Sequence, residues 1–497
     1  MQSYLLAIDQ GTTNSRAIIF NEKARLICQH EMSLNQSYPH SGWVEQDPEE
    51  MFNNTILCCQ MVLKKSGLSA SQIAAIGISN QRETTIIWDR TTGRAIYPAI
   101  VWQDRRTSEI CEKIPTEKVK SIFTKTGLIL DPYFSASKIL WILDNVPGAR
   151  EKAERAELLF GTVDCYLLWK LTAGKSHVTD ATNASRTMLF NIHQQCWDKE
   201  LLELFRIPHH ILPNVFDNTA DFGETHPSFF GKSISIAGMA GDQQAATIGQ
   251  ACFQTGMVKA TYGTGCFMLL NTGSQLITSQ NRLLSTVAYR LNKQVTYGLE
   301  GSIFSAGSII KWLRDTLQLI STAAETENIA NELDDTDGVY LVPAFTGMGA
   351  PYWNPHARAA ILGMSGRSNK KHIVRAALEC VVYQTCDLLQ AMTKDSNKSI
   401  NILRIDGGMS ANNWLAQFLA DMLCVEIQRS HCIETSALGA AFLAGLQKGI
   451  HQSPEDIASH WQMDASFHED MSEQKRQELY NGWKNCVSSI VTSSQPI

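Results

Sequence analysis

The octet Asp9-Gln10-Gly11-Thr12-Thr13-Asn14-Ser15-Arg16 lies between two apolar runs, Tyr4 to Ile8 and Ala17 to Phe20, so the chain opens on a strand, a polar glycine-containing hairpin and a returning strand. Such a hairpin suits a phosphate chain. Gly11 lets backbone approach a ligand closely, N–H groups and hydroxyls can surround phosphate oxygens, and Arg16 adds a fixed positive charge. Asp9, at the strand end, can orient a magnesium ion. Alone, the octet reads equally as an ordinary polar turn, because Gly, Thr, Asn and Ser are turn residues. It is neither a P-loop, which needs Gly-Lys-Ser/Thr opening a helix, nor a dinucleotide fingerprint with three spaced glycines.

At 497 residues the chain exceeds the size at which a single core stops growing, so two domains of comparable size with a cleft between them are expected. After the hairpin comes a third strand, Arg25 to Glu31. A helix follows with Asp47 as N-cap, Pro48 at its first position, Glu50 closing a capping box and Gly67 past its end. Strands are expected at Ile73 to Ile78 and Thr84 to Trp88, and a helix announced by Asp131-Pro132 runs through Leu143. The alternation of strands and helices gives an α/β class. Around residues 245 to 255 the pattern restarts: Met257 to Tyr262 and Cys266 to Leu270 flank the turn Gly263-Thr264-Gly265. Helices are expected at Ser308 to Leu317, at Asn412 to Cys424 after the turn Asp406-Gly407-Gly408, and near the end at Gln474 to Trp483.

Glycine turns at strand ends in both halves point to a phosphate-binding cleft. Two polar clusters could meet a second substrate: Gln81-Arg82-Glu83, and Gly241-Asp242-Gln243-Gln244, where Asp242 also reads as a plain helix N-cap. Arg82 and Glu83 offer a donor fork and an acceptor for a polyol, with Trp102, Tyr133 and Phe267 against its carbons. The same residues also read as an ion pair and core. Phosphoryl transfer needs only such parts. The net charge of −6, without a basic stripe, argues against nucleic acid. Thirteen scattered cysteines without a Cys-x-x-Cys pair or any His/Cys ligand spacing argue against zinc and for reduced thiols. No basic leader and no bilayer-length apolar run stand out, so a cytoplasmic protein without membrane insertion is expected.

Nine segments in order resemble the FGGY carbohydrate kinases, in particular the branch acting on glycerol: DQGTTNSR, SGWVEQDP at 41–48, SNQRETT at 79–85, DPYFSASKILWILDN at 131–145, DATNASRTMLFNI at 180–192, AGDQQAA at 240–246, YGTGCF at 262–267, FTGMGAPYWNP at 345–355 and DGGMSANN at 406–413. The resemblance implies two actin-like, ribonuclease-H-like ATPase domains, 1–250 and 251–497, with ATP, Mg²⁺ and glycerol meeting in the interdomain cleft. It implies a glycerol pocket of Arg82, Glu83, Trp102, Tyr133, Asp242, Gln243 and Phe267, with Asp242 as general base, aided by Arg16 and Asp9. Thr12, Thr13, Asn14 and Arg16 would surround the phosphates. Asp9 would hold magnesium through water, and Gly263, Thr264, Gly307, Lys311, Gly408 and Asn412 would line the nucleotide site. A homo-oligomer, dimer or tetramer, is also implied.

Lys311 stands where some relatives have Gln. The segment 227–233 is shorter than in relatives inhibited by fructose 1,6-bisphosphate, lacks their arginine, and carries Ser228 where some present a phosphorylatable histidine. A kinase of another polyol or ketose, and a mechanical ATPase of the same architecture, are the competing readings.

Overall fold

The strand Tyr4–Gln10 (β1) is apolar on both faces, and the strand Asn14–Asn21 (β2) returns antiparallel beside it, pairing Asp9 with Arg16 across the hairpin. A run buried on both sides needs layers above and below, and the rest of the chain supplies them. The computed structural model describes residues 3–345, 347–354 and 356–493. Thr346 and Pro355 of the 345–355 motif, and the N-terminal Met1-Gln2, lie outside them.

Four further strands complete the first sheet: Leu26–Ser33 (β3), Ile73–Asn80 (β4), Thr219–Glu224 (β5) and Ser235–Gly241 (β6). Their order is β5-β6-β4-β1-β2-β3, with β1, β4 and β6 parallel and the hairpin strands antiparallel. The second half repeats this plan. Val258–Tyr262 (β7), Cys266–Gly273 (β8), Leu284–Leu291 (β9), Gln294–Ile303 (β10), Ile402–Asp406 (β11), Glu426–Ser430 (β12) and Met463–Phe467 (β13) run in the order β9-β10-β8-β7-β11-β12-β13. Stripped of outer strands, both sheets read third, second, first, fourth, fifth. The restart in the sequence is thus a duplicated topology.

Two helices lie where the halves meet. Asp242–Gly249 (α1) follows β6, and Thr435–Gln447 (α2) comes late in the chain yet packs on the first sheet, in one core with Leu5, Ala7, Ala75 and Ala237. They cross so closely that a Cβ on Gly439 would overlap the Ala245 carbonyl. Only glycine permits that approach.

Several local expectations shift. Asp47 caps the helix Pro48–Ser66 by accepting from the Glu49 N–H, and Gly67 ends it at φ 70°, but Glu50 closes no capping box: its carboxylate accepts from Asn35 N and Nδ2 instead. The third strand begins at Leu26, and Thr84 falls outside the strand Ile86–Asp89. Asp131 accepts from the Tyr133 N–H, so the following helix is delayed to Ser135–Asn145. The helix expected at Ser308 to Leu317 is α-helical only over Gly307–Lys311 and continues as a π turn, Trp312–Thr316. The last helix extends over Glu473–Ser493. Among the described residues no helix is long and apolar enough to cross a membrane, and all thirteen cysteines are free.

Candidate active site

The β1–β2 hairpin faces the gap between the halves. Gly11 N–H donates to the Asn14 carbonyl (2.9 Å), Gln46 Nε2 to the Thr12 carbonyl (2.6 Å) and Trp102 Nε1 to Thr12 Oγ1 (2.9 Å), so the turn is held from outside. Thr13 is exposed at its tip, and Asn14 Nδ2 donates to Glu31 (3.3 Å). Arg16 is engaged on both sides, 3.1 Å from Glu31 and 2.5 Å from Glu434, which precedes α2 in the second half. Burial pushes the Asp9 carboxyl up to about 6, against the pull of Arg16 and with Glu434 and Asp242 adding negative charge. A carboxyl so crowded by acids is a donor suited to a hard cation.

Asp242 opens α1, whose N-cap is Gly241. Its Oδ1 accepts from the adjacent Gln243 N–H (2.7 Å) and lies 3.3 Å from Arg82 Nε, with 29% of the side chain exposed. It therefore sits at the first helical position with its carboxyl at the cleft. The Asp242 carbonyl accepts from Ser436 Oγ (3.1 Å), pinning the start of α1 to α2. Burial raises the Asp242 pKa, while Arg82 and Lys259 hold it back.

Arg82 and Glu83 belong to a buried network rather than a simple pair. Arg82 donates twice to Glu300 (2.5 and 2.9 Å) and to Gln244 (3.2 Å), and its Nε lies 3.8 Å from Glu83. Arg186 donates to Glu83 (2.6 Å) and Glu300 (3.0 Å). The guanidinium fork expected to grip a polyol is thus turned to Glu300, and its Nε edge remains on the Asp242 side. Burial opposes ionisation of Glu300, yet Arg186 and Arg82 hold its pKa down to about 2. Glu83 itself sits at φ 60°, a left-handed conformation costing a non-glycine residue about 1–2 kcal/mol, which aims its side chain into this network. Trp102 meets Tyr133 (5.7 Å) and Phe267 (6.1 Å) edge-on, forming an aromatic wall that spans both halves. Gln243 accepts from Lys259 Nζ, a lysine buried within β7 that also donates to Thr261 Oγ1 (3.0 Å).

The opposite wall is mostly backbone. Gly263 and Thr264 are exposed, and their carbonyls accept from Gly307 (2.9 Å), Ala306 and Ser308 (both 3.0 Å). Gly407 has φ 85°, and a Cβ there would stand 2.6 Å from the Tyr262 carbonyl. Gly408 and Lys311 are exposed. Asn412 is occupied as an N-cap, accepting from the Leu415 N–H (2.9 Å) while its Nδ2 donates to Thr326 (3.2 Å).

The N-terminal domain pattern of the FGGY family of carbohydrate kinases matches residues 4–249, and the C-terminal domain pattern matches residues 258–447. The chain belongs to the FGGY family of carbohydrate kinases. It is 59% identical to glycerol kinase of Coxiella burnetii, over 100% of this chain and 99% of that one. It is 56% identical to glycerol kinase 1 of Pseudomonas aeruginosa, over 99% of each. The crystal structure of Plasmodium falciparum glycerol kinase with ADP matches at TM-score 0.91 and 36% identity, covering 98% of both chains.

Within this FGGY kinase, sequence reasoning missed Arg186, Glu300, Lys259 and Glu434, whereas Gln244, which accepts from Arg82, lay in the Gly241–Gln244 cluster already singled out. Arg186 lies in the segment 180–192, where the Asn80–Asn183 reciprocal amide pair (2.9 and 3.0 Å) helps satisfy a stretch that is polar yet buried. Lys259 could have been found as the lone charge in an apolar strand. Glu300 carries no local mark.

Proposed function

We propose that the protein transfers the terminal phosphoryl group of ATP to a terminal hydroxyl of glycerol, giving ADP and sn-glycerol 3-phosphate. The full-length identity to glycerol kinases supports the substrates. The observation that carries the mechanism is the partly exposed Asp242 carboxyl, 3.3 Å from Arg82 at the start of an anchored helix.

Glycerol lies with its carbons against Trp102 and Phe267, and its hydroxyls among Tyr133, Glu83, Gln243 and the Nε edge of Arg82. Asp242 accepts the proton of the attacking hydroxyl. Burial shifts its pKa upward, the direction a general base needs. Thr12, Thr13 and Asn14 surround the β- and γ-phosphates, joined by Arg16 once it leaves Glu434, and the developing negative charge meets that guanidinium in line with the attack. Gly263, Thr264, Gly307, Lys311, Gly408 and Asn412 line the nucleotide. Asp9, crowded by acids, fits a magnesium ion held through water, which when bound would neutralise charge on phosphate oxygens. Closure of the two halves excludes water that would otherwise hydrolyse ATP. The same reading assigns a cytoplasmic homo-oligomer, dimer or tetramer.

Purified protein with magnesium-ATP and glycerol should form glycerol 3-phosphate, identified by mass and by a coupled dehydrogenase. Faster turnover of a pentulose than of glycerol would reassign the substrate.

A further inference from the structure

His451 lies in the turn after α2 and is buried to 2% exposure, yet neither ring nitrogen has a hydrogen-bond partner. A buried imidazole normally finds at least one. Its Nε2 side faces the backbone of α2, where a Cβ on Gly445 would stand 3.1 Å away, which leaves Nδ1 towards Asp456 Oδ2 at 3.8 Å. Asp456 and His460 lie one turn apart on the short helix Pro454–His460, with His460 Nε2 3.7 Å from Asp456 Oδ1. One ligand atom from each of the three residues falls within 4.8 Å of the other two.

We propose that His451, Asp456 and His460 form a binding site for one divalent first-row transition ion, with Zn²⁺ the best fit. Ligand atoms each about 2.0–2.1 Å from a tetrahedral ion stand roughly 3.3 Å apart, so the 3.7 and 3.8 Å spacings to the Asp456 oxygens close by about half an ångström and a pair at the 4.8 Å limit by about 1.5 Å. Two imidazoles and one carboxylate favour zinc, cobalt or nickel over magnesium or calcium, which take oxygen ligands. The Gln452 N–H donates to Asp456 Oδ2 (2.9 Å), fixing the carboxylate from behind in the manner of an outer-shell partner. His460, the less buried of the two histidines, also lines a cavity of about 640 Å³ with Lys23, Arg25, His431 and Trp461. The site departs from the expectation against zinc drawn from the lack of Cys-x-x-Cys and His/Cys ligand spacings, because a turn and a short helix bring His451 to Asp456 and His460.

The test uses the full chain stripped with EDTA and titrated with Co²⁺ in magnesium-free buffer, followed by visible d–d absorption and by metal analysis after gel filtration. One equivalent should bind with nitrogen/oxygen-type bands and be displaced by Zn²⁺, and Asp456→Asn and His460→Gln should each lose that equivalent while keeping kinase activity. Absence of a stoichiometric equivalent in the parent would overturn the proposal. Retention of it in both variants, or the intense near-ultraviolet bands of thiolate ligation from exposed Cys196 or Cys424, would do so equally.

Discussion

The two walls of the cleft are built from different materials. On the side proposed to hold the polyol, charged side chains are buried and mutually paired: Arg82, Glu83, Arg186 and Glu300 are each at most 3% exposed and hold one another in fixed positions. On the side proposed to hold the nucleotide, Gly263, Thr264, Gly408 and Lys311 are exposed, and the order comes from backbone bonds between turns. A small neutral polyol offers only hydroxyls, so its position must be read by side chains placed before it arrives. A phosphate chain carries its own charge and accepts from any N–H aimed at it, so glycine turns suffice. Damage to the first wall should therefore strike chemistry and stability, and damage to the second should strike nucleotide affinity.

The largest effect is expected at Asp242. Replacing it with Asn keeps the shape and the Gln243 contact but removes the base, so kcat should fall about 10²–10⁴-fold with the melting temperature and KM for ATP unchanged. A variant close to the parent in kcat would remove Asp242 from the chemistry. In the parent, the acid limb of the kcat/KM profile should lie above the ordinary aspartate value of about 3.9, because activity needs the ionised form and burial raises the pKa. Arg82→Met removes the charge holding that pKa back and should move the limb to higher pH. A downward shift would mean that another group titrates.

Glu300→Gln should show the preorganisation of the polyol wall as stability. It leaves two guanidinium groups buried without their shared carboxylate, a loss of about 3–5 kcal/mol in urea unfolding. The sign follows from the folded pKa of about 2, depressed from roughly 4.3 in the unfolded chain. The contribution is complete above the unfolded value and vanishes as pH falls through the folded one, so parent and variant should converge in acid. A gap that persists below both values would assign the loss to shape rather than charge.

The nucleotide wall should respond more mildly. Gly407→Ala forces a side chain into φ 85° against the Tyr262 carbonyl, a strain of about 1–2 kcal/mol. Expressed in the turn it supports, this raises KM for ATP about tenfold and leaves KM for glycerol alone. Equal changes in both constants would show the walls to be one mechanical unit.

The contrast between the walls also explains what the sequence revealed. Turns are local: the β1–β2 hairpin, the Gly263–Gly265 turn and Asp406-Gly407-Gly408 could be placed because glycine and strand periodicity act over a few residues. The charged network is not local, since Arg82 and Glu300 lie 218 positions apart and Arg186 and Glu83 lie 103 apart. No spacing announces such a pair, so Arg82 read as a free fork. The same limit hid α2, which is apolar on every side because it is buried between the halves, and so carries no periodic face. Glu50 failed as a capping box for the same reason, since a distant Asn35 outbid the nearby backbone.

The smallest effect tests the point where the walls touch. Arg16 reaches from the first sheet to Glu434 at the head of α2, and both side chains are partly exposed, at 32% and 20%. Such a pair contributes about 0.2–1 kcal/mol. If Glu434 competes with phosphate for the guanidinium, Glu434→Gln should lower KM for ATP about two- to fivefold. The same change removes a negative charge that raises the Asp9 pKa, so Asp9 should stay ionised to lower pH and the KM for magnesium should fall with it. Were KM for ATP to rise instead, Glu434 would be holding Arg16 in place for the nucleotide. The bridge would then belong to the preorganised wall rather than to the adaptable one.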